Sequence, residues 1–170
     1  YPELIEQCVQ IAVLTETEIE MLRIDDPGFD GVDALMPLKG QLLKLVLEGC
    51  AVSDIDVLRA FSALEVVLLR DTQVASIEPL SPCGRLSYLD VSKTPISDFE
   101  CLCQPRGGDK FASLSALRMS CDGVDASFFR RVALTGVGLQ DPNDGFLSEV
   151  LQCPTLASLT LEGGQADLSP

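Results

Sequence analysis

Three successive segments of this chain follow one apolar template. Leu42 to Leu58 reads LLKLVLEGCAVSDIDVL, Leu64 to Leu80 reads LEVVLLRDTQVASIEPL, and Leu86 to Leu102 reads LSYLDVSKTPISDFECL. Each carries apolar residues at positions 1, 4, 6, 11, 14 and 17 and a small residue at position 9. Looser copies extend outward: Ile19, Leu22, Ile24, Phe29 and Val32 upstream, then Leu114, Leu117, Met119 and Val124, then Leu134, Val137 and Leu139, and finally Leu156, Leu159 and Leu161. The starts at 19, 42, 64, 86, 114, 134 and 156 step by 23, 22, 22, 28, 20 and 22 residues. A fixed period of this length is the signature of a solenoid, in which no unit seals its own core and stacking seals all of them.

The alternation within each segment specifies what the unit looks like. Positions 4 and 6 share one face of an extended segment, and positions 3, 5 and 7 share the other, so each unit opens with a short strand. Stacked units place these strands side by side in a parallel sheet that lines a concave face. Some 22 residues per coil leave little room for a full return helix, so the convex side is expected to carry short helical or 3₁₀ turns. Residues 3–14, ELIEQCVQIAVL, put Leu4, Ile5, Cys8, Ile11 and Ala12 on one helical face, which suits a cap over the first coil. The expected organisation is a single domain: a cap helix over residues 1–18, about seven repeats over 19–163, and a partial repeat or tail over 164–170.

This pattern resembles the leucine-rich repeat family, and the short 22-residue type in particular, as in phosphatase regulators, axonemal dynein light chains and the spliceosomal A-prime protein. The resemblance implies an α/β solenoid: a leucine-rich repeat horseshoe with a parallel concave sheet, short convex turns and an N-terminal helical cap. Family repeats usually hold asparagine at position 9, bonded to backbone of the neighbouring coil. Here the slot holds Pro27, Cys50, Thr72, Thr94, Asp122, Pro142 and Gly164, so irregular end repeats are expected. Glu3 to Gln7 resembles the opening helix of the A-prime protein. The segment DPNDGFLSEVLQCPTLASLTL resembles the last repeat and cap of the nuclear subclass, which runs from a proline into a short helix, then to a second proline and a final strand.

Composition removes several function classes. Of the 170 residues 27 are leucine and none is histidine, so Ser-His-Asp and Cys-His catalysis and histidine-bearing zinc sites are excluded. A formal charge of −14 is the wrong sign for phosphate backbones and anionic membranes. Seven cysteines, an odd number, do not read as a secreted disulfide framework, and the expected setting is reducing and intracellular, cytoplasmic or nuclear. The chain opens Tyr1-Pro2 without a methionine, so its natural start is expected to lie upstream. Cys83 and Cys153 share position 20 of their repeats, Cys50 fills a position-9 slot, and Cys101-Leu102-Cys103 lacks a second pair. The cysteines therefore read as small buried hydrophobes, with no metal or cofactor expected. Asp25-Asp26 and Asp54/Asp56 read as loop carboxylates rather than as a general acid and base.

What remains is a surface. Position 3 of the coils gives Met21, Lys44, Val66, Tyr88, Ala116, Gly136 and Ser158; position 5 gives Arg23, Val46, Leu68, Asp90, Arg118, Gly138 and Thr160; position 7 gives Asp25, Glu48, Arg70, Ser92, Ser120, Gln140 and Glu162. Val46, Val66, Leu68 and Tyr88 form an apolar cluster, rimmed by Arg23, Lys44, Arg70, Asp90 and Arg118. An apolar centre with an aromatic and a charged rim is the composition of a protein interface. The six extra residues of the fourth step fall in the Pro/Gly-rich stretch Gln104–Lys110, a tolerated insertion that also offers a second contact.

The sequence thus points to a non-enzymatic interaction module or adaptor that binds a protein of basic or mixed surface on its concave face, as part of a larger assembly. No direct nucleic-acid, membrane or small-molecule ligand is expected. The alternative, implied by the A-prime resemblance, is a ribonucleoprotein subunit that holds an RNA-binding partner; the basic strip that would favour it is absent from the sequence.

Overall fold

A computed structural model describes residues 19–103 and 111–162. The expected cap helix over residues 1–18, the Gln104–Lys110 insertion and the tail beyond Glu162 lie outside the described residues. The described chain is a leucine-rich repeat solenoid. Strands β1 (Met21–Ile24), β2 (Lys44–Leu47), β3 (Val66–Leu68), β4 (Tyr88–Val91), β5 (Ala116–Ser120), β6 (Gly136–Gln140) and β7 (Ser158–Glu162) form one parallel sheet in the order of the chain. Their register aligns the repeats as the template does. Met21, Lys44, Val66, Tyr88, Ala116, Gly136 and Ser158 make one row across the sheet, and all seven occupy position 3.

Register follows from burial. Positions 4 and 6 of coils two to six are leucine, valine or methionine, and each of Leu45, Leu47, Val67, Leu69, Leu89, Val91, Leu117, Met119, Val137 and Leu139 is at most 3% exposed. A slip of one residue would turn all of them to solvent. The convex side closes with 3₁₀ turns at Asp33–Leu38, Asp56–Ala60, Glu78–Leu80, Glu100–Leu102 and Ala126–Arg130. The last complete coil returns instead through a true α-helix, α1 (Asp144–Val150), whose first turn is closed by Asn143 Oδ1 accepting from Phe146 N at 2.8 Å. This is the short helix after a proline that the C-terminal segment implies.

Two devices recur among the turns. Position 8 adopts a left-handed backbone at Gly49 (φ 68°), Asp71 (57°), Lys93 (57°) and Asp141 (52°). Its N–H then reaches the next coil: Gly49 N donates to Arg70 O, Asp71 N to Ser92 O, Asp141 N to Glu162 O, and Lys93 N to the Ser120 hydroxyl at 2.7 Å. The second device precedes the convex turns. Asp54, Asp98 and Asp125 accept from the backbone N–H two residues ahead at 2.8, 2.8 and 2.9 Å, and the Ser76 hydroxyl does the same at 3.2 Å. Part of the acidity is therefore turn chemistry. Asp125 is held below the usual carboxylate range by these hydrogen bonds from Ser127.

The position-9 slot departs from the family rule in a specific way. Thr72 and Thr94 donate to Leu69 O and Val91 O of their own coil, at 2.8 and 2.7 Å. Cys50 instead donates to Ile24 O of the preceding coil at 3.3 Å. In coil five Asp122 is exposed and Cys121 takes the buried place, since the left-handed residue there is Gly123 (φ 72°) rather than position 8. Cys83 and Cys153 are buried at equivalent coil edges, Cys83 donating to Leu58 O of the preceding coil and Cys153 to Val132 O of the preceding coil and Leu134 O of its own.

Candidate functional site

The concave face has two parts with different surfaces. Over coils two to four it carries side chains. Val66, Leu68 and Tyr88 are half-buried and face solvent beside the half-buried Lys44 and Arg70, whose side chains make no ion pair among the described residues. Arg23 stands at the N-terminal margin, bonded to Glu48 at 2.9 Å and 3.9 Å from Asp25. Two residues of the expected patch offer little surface. Val46, between Arg23 and Leu68 in register, is 5% exposed, and Asp90 is 2% exposed. Of the expected apolar cluster, Val66, Leu68 and Tyr88 therefore offer surface.

Asp90 is the centre of a polar network. Its Oδ1 accepts from Ser92 N at 2.9 Å and from the Ser92 hydroxyl at 2.6 Å, while Oδ2 lies 3.8 Å from Arg118 Nε. A buried carboxylate is tolerable only with such partners. Arg118 continues past coil six, where Gly138 presents no side chain: a Cβ placed there would stand 3.0 Å from Arg118 Cγ. The guanidinium then pairs with Glu162 on coil seven. Arg118 is thus a tie across coils four to seven, and the charge expected on the rim is largely used within the molecule.

Over coils five to seven the concave face is hollow. Ala116, Gly136 and Gly138 leave a depression of about 140 Å3, bounded by Tyr88 on one side, Ser158 and Thr160 on the other, and Arg118 along it. The signal for this feature is two glycines at alternate strand positions, which remove side chains from one face of a strand and open close approach to its backbone. The reading of the concave face as a row of side chains passes over it.

The other candidate chemistries have ordinary surroundings. Cys50, Cys83, Cys101, Cys103, Cys121 and Cys153 are free thiols, of which Cys50, Cys83, Cys121 and Cys153 are buried and Cys101 and Cys103 half-buried. Burial pushes Cys83, Cys101 and Cys121 up to about 11, the direction opposite to a nucleophile's. Among the described residues no group of histidine, cysteine or carboxylate side chains is arranged to hold a metal, and no helix is long and apolar enough to cross a membrane.

No family model matches the chain, and no curated protein matches it. Among solved structures it is similar to internalin C2 from Listeria monocytogenes, with 18% identity and a TM-score of 0.56 over 85% of this chain and 81% of that one. It is similar also to the internalin InlF from Listeria monocytogenes, with 16% identity and a TM-score of 0.53 over 85% of this chain and 48% of that one. At these identities the likeness is one of backbone path.

Proposed function

We propose that this chain, a leucine-rich repeat protein in fold like the internalins, is a non-enzymatic module that binds a protein partner on its concave face. The observation that carries this reading is the Val66–Leu68–Tyr88 surface with Lys44 and Arg70 beside it. Strand propensity is satisfied by any β-branched or aromatic residue, but nothing in the fold requires apolar side chains on the solvent side of a sheet. Two cations without intramolecular partners among the described residues favour a partner segment that brings carboxylates to coils two and three. Seven cysteines, an odd number, support a reducing, intracellular setting, which titration of thiols in protein from the native cell checks: disulfides there would contradict it. Place in a larger assembly is part of the same reading, since rigid repeats act by holding other chains.

Leu68→Glu combined with Tyr88→Glu tests it. Both side chains face solvent, so circular dichroism is expected to match the parent, while affinity purification loses one defined set of proteins. An unchanged set with the fold intact would remove the concave face from the function.

A further inference from the structure

We propose that the glycine-floored depression over coils five to seven receives a single neutral aromatic side chain of the partner, best a phenol. This deepens the preceding reading and rests on it. Size is the first argument. A cavity of roughly 150 Å3 takes a benzene-sized ring, and the depression here is about 140 Å3. Its floor is the backbone of Gly136 with the methyl of Ala116, the Arg118 side chain lies over Gly138, and its wall on the coil-four side is Tyr88. A flat group fits such a floor, and an aromatic wall favours a ring.

Charge is the second argument. Arg118 lines the depression, but Asp90 and Glu162 both engage it, so the three groups together carry one net negative charge. That balance repels a carboxylate. A second cation would lie against the Arg118 guanidinium. A neutral ring avoids both penalties and can stack on the guanidinium plane. The Ser158 and Thr160 hydroxyls at the far wall supply donors and acceptors for a polar tip. Tyr88 borders both this depression and the apolar patch, so one partner segment crossing the sheet from coil three to coil seven meets both.

The test uses the whole chain labelled with 15N and the tyrosine side-chain analogue p-cresol, with ethylguanidinium and propionate as competitors for the assignment. Saturable shifts of the Ala116, Gly136, Gly138 and Thr160 amides are expected with p-cresol in the millimolar range, as suits a fragment of this size. Gly136→Leu fills the depression and is expected to abolish them. Gly136→Ala, whose Cβ meets Ser158 Oγ at 3.2 Å and Ala116 Cβ at 3.4 Å, is expected to weaken them severalfold and serves if the leucine variant does not fold. No saturation, unchanged shifts in a folded Gly136 variant, or tighter binding of ethylguanidinium or propionate at these amides would overturn the proposal. Leu68→Glu is expected to leave p-cresol binding intact. The two readings therefore fail separately: lost partners without a p-cresol site overturn the depression alone, and a p-cresol site with partners unaffected by the Leu68 and Tyr88 changes overturns the docking reading.

Discussion

Coils two to four and coils five to seven share a period and a register, yet they satisfy the same requirements differently. The first group is regular: left-handed Gly49, Asp71 and Lys93 at one position, Cys50, Thr72 and Thr94 at the next, and 3₁₀ turns behind. The second group varies its turn in coil five and returns through α1. It also packs its convex core with phenylalanine: Phe128 meets Phe129 at a tilt at 4.1 Å, Phe129 meets Phe146 edge-on at 5.9 Å, and Phe99 of coil four stacks on Phe128 at 5.3 Å. On the concave side the first group presents side chains and the second presents a hollow. Regularity frees surface positions to vary in character, while irregular coils need larger side chains inside to fill uneven space.

Removing a ring from the irregular half is the largest expected perturbation. Phe128→Ala should cost about 3–5 kcal/mol, against about 2–5 for Leu45→Ala in the regular half. Urea unfolding measures both, and equal costs with identical m-values would remove the distinction drawn between the halves. The thiols should cut across it. Cys83 in one half and Cys121 in the other are both pushed up to about 11 by burial, so at pH 8 each should alkylate about a hundredfold more slowly than an unperturbed cysteine, or slower still. Faster modification of Cys121 would show that the second half opens locally. Their folded values lie above the unfolded value of 9.0, so their contribution to stability is complete below about pH 9 and is lost as pH rises through about 11.

Arg118→Met should come next, at about 1–3 kcal/mol, because it leaves the buried Asp90 with Ser92 alone. Thermal unfolding reads it; an unchanged midpoint would mean the tie across coils four to seven carries no stability. The smallest effect separates glycine from its substitutes at the left-handed position. Gly49→Ala should cost about 1 kcal/mol, and Asp71→Gly should gain a few tenths or nothing, since aspartate already tolerates that backbone. A cost for both would assign the turn to side-chain contacts instead of backbone conformation.

How much of this is legible in the sequence depends on which residues a feature uses. The strand rows are, because a two-residue alternation admits one register once Leu45, Val67, Leu89, Leu117 and Val137 must be buried together. Short convex turns are legible from coil length alone. The left-handed position is not, because glycine marks it only at Gly49, and Asp71 and Lys93 look like ordinary loop residues. The burial of Asp90 is equally hidden: its partners Ser92 and Arg118 stand two and 28 residues away, and only the register brings coil five beside coil four. The coil-five shift from Asp122 to Cys121 follows from one glycine displaced within its turn. The concave hollow is the feature whose signal was present, in Gly136 and Gly138, but absence of a side chain attracts less notice than a cluster of them.

The chain-ordered sheet has a further consequence for how the protein comes apart. Among the described residues, side-chain hydrogen bonds between coils join residues 19 to 31 apart along the chain, the Arg118–Glu162 ion pair reaches across three coils, and none of these staples the first coil to the last. Folding can start at any well-packed pair of coils and spread, and unravelling proceeds inward from the ends. A ligand lying across coils three to seven would act as a brace laid over a stack of discs, converting several independently fraying layers into one unit that opens all at once.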